Sequence, residues 1–235
     1  MFNLSRRGLM GALALPCAAG IVGTAAAAAS PFAPTPTIRA MSGAQARRQL
    51  PGNTTALLVI DFQNEYFTGR MPIADGSGAM AQTKRLLAWA DQLAFPVFQI
   101  QHLAPAGAAV FAEDGNTVSF HPDMQPRARD TVVQKRTVSV FASTDIARQL
   151  QSAHIRTLVI TGLMTHACVA GAARDAAAQG FDVVVSSDAT ATRSIRRENG
   201  DTVSHDGLHR AALAEIEDTF GDVLTTAQIL ALAVA

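Results

Sequence analysis

What most constrains this chain is a repeated alternation: short runs of consecutive apolar residues, each followed by a longer segment with helical periodicity. The runs predict strands at Ala56–Asp61, Val97–His102, Thr131–Lys135, Leu158–Thr161, Val183–Ser186 and Val223–Thr225. Several, such as Leu57-Leu58-Val59-Ile60, are continuously apolar rather than alternating, which suits parallel strands covered on both faces. Amphipathic patterns at Ala79–Leu93, Thr144–Ala153, Ala167–Gln179 and Leu208–Asp218 lie between them, and Gly180 supplies a stop after the third. Strand alternating with helix predicts an α/β fold, a doubly wound, mostly parallel six-stranded sheet with helices on both faces.

The 235 residues, 49% hydrophobic and 16% charged, suit one such domain with a large core rather than two full domains. The formal net charge is zero, and no Lys/Arg run interleaved with aromatics is present. A nucleic-acid partner is therefore not expected, and a small-molecule substrate fits better.

The first 29 residues read as a signal peptide. Ser5-Arg6-Arg7-Gly8-Leu9-Met10 precedes an Ala-rich apolar run from Leu9 to Ala29, and small residues at Ala25 to Ser30 satisfy a cleavage rule. The paired arginines resemble a twin-arginine export signal, so the expected partner is the twin-arginine export machinery and the expected location periplasmic or secreted. Cleavage would leave 17 basic against 19 acidic residues and a single cysteine, Cys168, since Cys17 lies in the signal. No internal disulfide can then form. Residues 30–54, with Pro31, Pro34, Pro36 and Pro51, read as a linker and lead-in, and 55–235 as the domain.

In an open parallel sheet, ligands bind beyond the carboxyl ends of the strands. Asp61, His102 and Lys135 each end a predicted strand, and Cys168 opens the helix after another. Asp61 reads either as a turn-capping acid or as a general base. Lys135, at a strand terminus beside Arg136, is the better pocket candidate of the two cations, able to steady a carboxylate and developing negative charge. For Cys168 the inert reading is a buried core thiol; the functional one is a nucleophile whose pKa the helix N-terminus lowers. The segment Leu103 to Asp130 leaves the same edge and reads as a lid or partner-contact loop.

Three motifs in order carry a resemblance: Leu57-Leu58-Val59-Ile60-Asp61-Phe62-Gln63-Asn64; Lys135 with Ser139-Val140-Phe141 and Thr144-Asp145; and Gly162-Leu163-Met164-Thr165-His166-Ala167-Cys168-Val169. The chain from Thr55 onward is similar to the isochorismatase-like cysteine hydrolases, which include the nicotinamidases. The resemblance implies an Asp61, Lys135, Cys168 triad, a cis peptide at Leu163–Met164, and an oxyanion held by the N–H groups of Met164 and Cys168. It further implies cleavage of a small carboxamide or related C–N bond through a cysteine thioester. Gln63, Phe67, His102, Phe141 and Thr165 are the substrate-binding candidates, and a homo-oligomer is expected. Tyr66, Phe111 and Phe120 lie on segments that can also reach the edge.

His166 is two residues from Cys168, so it reads as a pocket-entrance neighbour or subunit contact rather than the base. His209 reads as a helix-start residue. Nicotinamidases carry an Asp-x-His metal pair that Gln101-His102-Leu103 does not reproduce, so neither metal nor other cofactor is expected. Two alternatives stand beside the amidase: isochorismate-type vinyl-ether hydrolysis, and a catalytically silent exported binding protein of the same fold.

Overall fold

The computed structural model describes residues 33–235. The expected export segment, residues 1–29 with Cys17, lies outside the described residues.

The stretch read as lead-in carries some regular structure. Between Pro36 and Pro51 it is free of proline, and there it forms a one-turn helix α1 (Ile38–Met41), capped by the Thr37 hydroxyl, and a short strand β1 (Gln49–Leu50). Arg39 and Arg47 converge on the Asp222 carboxylate at 2.8 and 2.5 Å, fastening this stretch to the end of the domain.

The domain then follows the predicted alternation. Strand β2 (Thr55–Ile60) leads through a long helix α2 (Gly76–Gln92) to β3 (Val97–His102) and on to β4 (Thr131–Lys135). Helices α3 (Val140–Ser143) and α4 (Ile146–Ser152) precede β5 (Thr157–Leu163). A π-helical turn, Thr165–Val169, opens α5 (Ala170–Ala178), which returns to β6 (Asp182–Ala191). A small hairpin of β7 (Ile195–Arg196) and β8 (Thr202–Val203) leads to α6 (His205–Glu215), β9 (Asp222–Leu224), α7 (Thr226–Leu230) and β10 (Ala233–Val234). The last of these pairs with β1.

Six strands form the central sheet in the order β4-β3-β2-β5-β6-β9, every neighbouring pair parallel. Side chains of β2 alternate between its faces: Leu57 and Val59 join Leu86, Trp89 and Ile229, whereas Ala56, Leu58 and Ile60 join Ile146, Leu150 and Ala173. Helices α2 and α7 thus cover one face and α3 to α5 the other, and all six residues of β2 are buried. Two strands outrun the apolar runs that predicted them: β5 continues to Leu163, and β6 continues past Ser186-Ser187-Asp188 to Ala191.

The chain runs from β2 outward to β4 and then returns to build β5 on the other side of β2. The strand order therefore reverses between β2 and β5, and Asp61 and the Cys168 turn emerge at that switch point, where ligands bind in open parallel sheets. Close approach there requires a glycine: Gly162 pairs with Ile60 at φ +137°, and a Cβ would sit 2.3 Å from the Ile60 carbonyl oxygen. Gly162→Ala should cost about 2–5 kcal/mol from overpacking and backbone strain together. Urea unfolding measures it, and a loss below about 1 kcal/mol would show that the two strands can separate freely there.

Candidate active site

Each polar group of the site is placed by a strand end. Asp61 is the first residue beyond β2; its N–H still donates to Ile100 O at 3.0 Å, while its φ of +54° turns the chain out of the sheet. That left-handed conformation is uncommon outside glycine but tolerated by aspartate. Lys135 closes β4 directly opposite His102, the last residue of β3. The peptide Leu163–Met164 at the end of β5 is cis, and the π-helical turn after it carries Cys168. Among the described residues the Met164 N–H has no backbone acceptor.

These placements bring Asp61, Lys135 and Cys168 together. Lys135 and Asp61 are fully buried and Cys168 is 5% exposed. The Lys135 ammonium stands 2.8 Å from Asp61 Oδ2, 2.7 Å from His102 Nδ1, 3.3 Å from Cys168 Sγ and 3.3 Å from Thr137 O. Its contact with Asp61 is close but off the hydrogen-bonding direction, so neither carboxylate oxygen has an aligned donor. Asp61, His102 and Cys168 offer ligand atoms within 4.8 Å of one another, a spacing that could hold a metal ion. The Lys135 ammonium touches all three and is itself the cation of that cage.

Protonation follows from this arrangement. Burial alone would lower the Lys135 pKa, but Asp61 and Cys168 outweigh it and hold the ammonium above its ordinary range. Burial and the Lys135 charge lower His102, so its imidazole is neutral and its Nδ1 accepts from the ammonium. The helix-start effect expected to acidify Cys168 is overridden. Burial, then the Asp61 carboxylate, push the thiol up to about 12 against the pull of Lys135. The resting sulfur is a thiol, because desolvation and a neighbouring carboxylate both disfavour its anion.

The remaining candidates are placed differently. Gln63 is buried and its amide is fully used: Nε2 donates to His102 O and Val118 O, and Oε1 accepts from the His102 N–H. It brackets the end of β3 to the 103–130 segment, which is also tied to the β2 exit by Asn64 N–H to Ser119 O and His121 N–H to Phe62 O. Phe67 is half-buried and packs on His121 with ring centroids 4.4 Å apart. Phe141 lies in the same apolar cluster as Cys168, facing Phe181. Thr165 is buried with its hydroxyl 2.8 Å from His209 Nδ1. His166 meets Thr192 Oγ1 at 2.5 Å. Tyr66, fully inside, meets Phe111 edge-on with ring centroids 5.2 Å apart, and burial, then the neighbouring Cys168 and Asp61, push its phenol pKa well up. Two residues at this edge had no sequence signal: Thr192 and Arg193 follow β6, and the polar interruption at residues 186–188 concealed that the strand reaches them.

A doubly wound sheet bearing a buried Asp–Lys–Cys cluster at its switch point defines a class of α/β protein with a thiol held at a helix start. Comparison with known proteins narrows it. Residues 55–228 match the isochorismatase domain. The chain is 32% identical over 179 residues to an uncharacterized isochorismatase family protein of Bacillus subtilis, covering 75% of this chain and 99% of that one. It is 30% identical over 190 residues to the maleamate amidohydrolase of Pseudomonas putida, covering 74% and 84%. An isochorismatase crystal structure from Pseudomonas putida superposes with a TM-score of 0.76 at 27% identity, covering 83% of this chain and 99% of that one. The chain belongs to the isochorismatase family, and its relatives include amidohydrolases.

The thiol's environment makes a signed prediction. Replacing the carboxylate in Asp61→Asn removes a charge that opposes the thiolate, so the Cys168 titration, read by thiolate absorbance, should move downward from that of the unmodified protein. Lys135→Met should move it upward. Movement in the opposite sense in either variant would overturn the charge assignment.

Proposed function

We propose that the protein is a cysteine-dependent amidohydrolase acting on a small carboxamide or related C–N bond. The observation that carries this reading is the buried contact of Cys168 Sγ with Lys135, next to an Asp61 carboxylate whose oxygens lack aligned donors. The amidohydrolases among the relatives support it.

In this reading Asp61 takes the thiol proton, and the sulfur forms a bond to the carbonyl carbon while the C=O electron pair moves to oxygen. The Met164 and Cys168 N–H groups hold that oxyanion. As the carbonyl reforms, the C–N bond breaks and protonated Asp61 delivers its proton to the departing nitrogen, leaving a thioester. Asp61 next accepts a proton from water as the hydroxide oxygen bonds to the thioester carbon, and the sulfur leaves and is reprotonated by Asp61. Lys135 keeps one positive charge beside the site throughout, so that the negative charge passing between oxygen and sulfur is always countered. His102 serves Lys135 rather than Cys168, accepting a hydrogen bond from the ammonium at Nδ1.

Ammonia release from a panel of small amides tests this. Asp61→Asn should lower kcat by about 10²–10⁴-fold, the usual contribution of a general acid–base group. Cys168→Ala should abolish both turnover and the acyl adduct seen by mass spectrometry. Undiminished turnover in Cys168→Ala would overturn the thioester and favour vinyl-ether hydrolysis. Binding without any turnover would favour the silent binding protein.

We also propose export through the twin-arginine route, supported by Ser5-Arg6-Arg7 ahead of the apolar run. The protein recovered outside the cytoplasm of a bacterial host should begin near Ser30, and replacing Arg6 and Arg7 by lysine should retain it inside. A full-length exported chain, or export indifferent to both arginines, would contradict this.

A further inference from the structure

The turn that carries Cys168 is held from outside itself. Met164 precedes it without offering a capping side chain, and the Met164 carbonyl accepts from both the Ala167 and the Val169 N–H, at 3.1 and 3.2 Å. A helix start leaves its first N–H groups without partners in the helix, and a π-helical start is a rare winding. With no cap of its own, the turn is tied down by its first two side chains. Thr165 Oγ1 meets His209 Nδ1 at 2.8 Å, and His166 Nδ1 meets Thr192 Oγ1 at 2.5 Å.

These two contacts belong to one closed circuit. His209 lies four residues after His205, on the same face of α6. The His205 N–H donates to Ser194 Oγ at 2.9 Å, and Ser194 stands two residues beyond Thr192 in the segment that follows β6. The circuit therefore runs from the turn to α6, from α6 to the segment after β6, and from there back to the turn. Its three crossings join residues 44, 11 and 26 apart in sequence, so none is a local turn contact. Burial lowers the pKa of both imidazoles, aided at His166 by the Arg193 charge and opposed at His209 by a Ser187 backbone hydrogen bond and the charges of Asp206 and Asp75. Both rings are neutral at pH 7, and neither brings a charge toward Cys168.

In the sheet, Asp61 and Lys135 end strands on one side of β5, whereas Thr192 follows β6 on the other. The triad partners thus meet the sulfur from one side, and the circuit grips the backbone of its turn from the other. Cys168 Sγ stands 3.3 Å from the Lys135 ammonium, and a displacement of about 1 Å at a reacting centre can cost about 10²-fold in rate. We propose that His209 and Thr192 are positioning residues: by clamping Thr165 and His166, they keep the Cys168 sulfur on Asp61 and Lys135. The kinetic part rests on the amidohydrolase reading; the placement of the thiol does not.

Thr192→Val keeps the side-chain shape without the hydroxyl, and His209→Phe keeps a ring without its nitrogens. A freed turn lets the thiol leave its burial and the carboxylate that opposes its ionisation. The Cys168 titration, read by thiolate absorbance, should therefore move downward from that of the unmodified protein in both variants. Turnover of a small amide should nevertheless slow, kcat falling about 10–10²-fold with KM little changed, because Asp61 no longer reaches the thiol proton. Thr192→Ser, which restores the hydroxyl, and His209→Asn, whose amide can replace Nδ1, should recover part of both. Arg210→Gln, on the exposed side of α6, should change neither. All are measured on protein shown by circular dichroism to be folded; a role in stability alone would lower the urea midpoint and leave the thiol titration in place. An unmoved titration in folded Thr192→Val and His209→Phe, or an equal movement in Arg210→Gln, would overturn the positioning role. A shifted titration in a protein that cleaves no amide keeps the circuit and removes the amidase, whereas unchanged kcat in both variants keeps the amidase and removes the circuit.

Discussion

The buried Lys135 ammonium is the interaction on which the rest of this site depends. Removing an ammonium from water costs several kcal/mol, and the return comes only with well-placed partners. Lys135 finds four, from three separate stretches of chain besides its own: Asp61 after β2, His102 closing β3, Cys168 after β5, and its neighbour Thr137. An ammonium has three protons, so no single arrangement satisfies all four partners at once. In the amidase mechanism proposed above, one positive charge would thus follow negative charge between carboxylate and sulfur with no change of backbone.

The topology makes that meeting unavoidable. Parallel strands present their carboxyl ends at one edge, and strand order reverses between β2 and β5, the switch point at which sheets of this kind place their sites. Gly162 lets β5 run tight against Ile60, and Gln63 ties the end of β3 to the overlying 103–130 segment. What surrounds the cluster is therefore packed and dry, and low polarity strengthens every charge within it.

Dryness also assigns the protonation states. The same burial that keeps the His102 imidazole neutral keeps the Cys168 thiol protonated, while the neighbouring Asp61 and Cys168 outweigh burial at Lys135 and keep its ammonium charged. His166 and His209, the neighbours by sequence and by fold, are committed to Thr192 and Thr165.

The amino-acid sequence by itself determined the strand–helix alternation, the strand ends at Asp61, His102 and Lys135, and the strand-to-helix step at Cys168. Continuous apolar runs and helical periodicity are local properties, and the carboxyl-edge rule converts them into a site. It did not determine what those side chains do once they are there. That Gln63 brackets backbone could not be read from the sequence, because its partners at His102 and Val118 are distant along the chain. The helix start should have acidified Cys168; burial and Asp61, both products of tertiary packing, do the reverse. Arg193 was hidden for a related reason: β6 runs through a polar stretch at which its pairing with β5 lapses and resumes only at Thr190 and Ala191. Local pattern decides where a chain is strand or helix, whereas acidity, solvation and the partner of a charge belong to the three-dimensional neighbourhood, which only the folded chain creates.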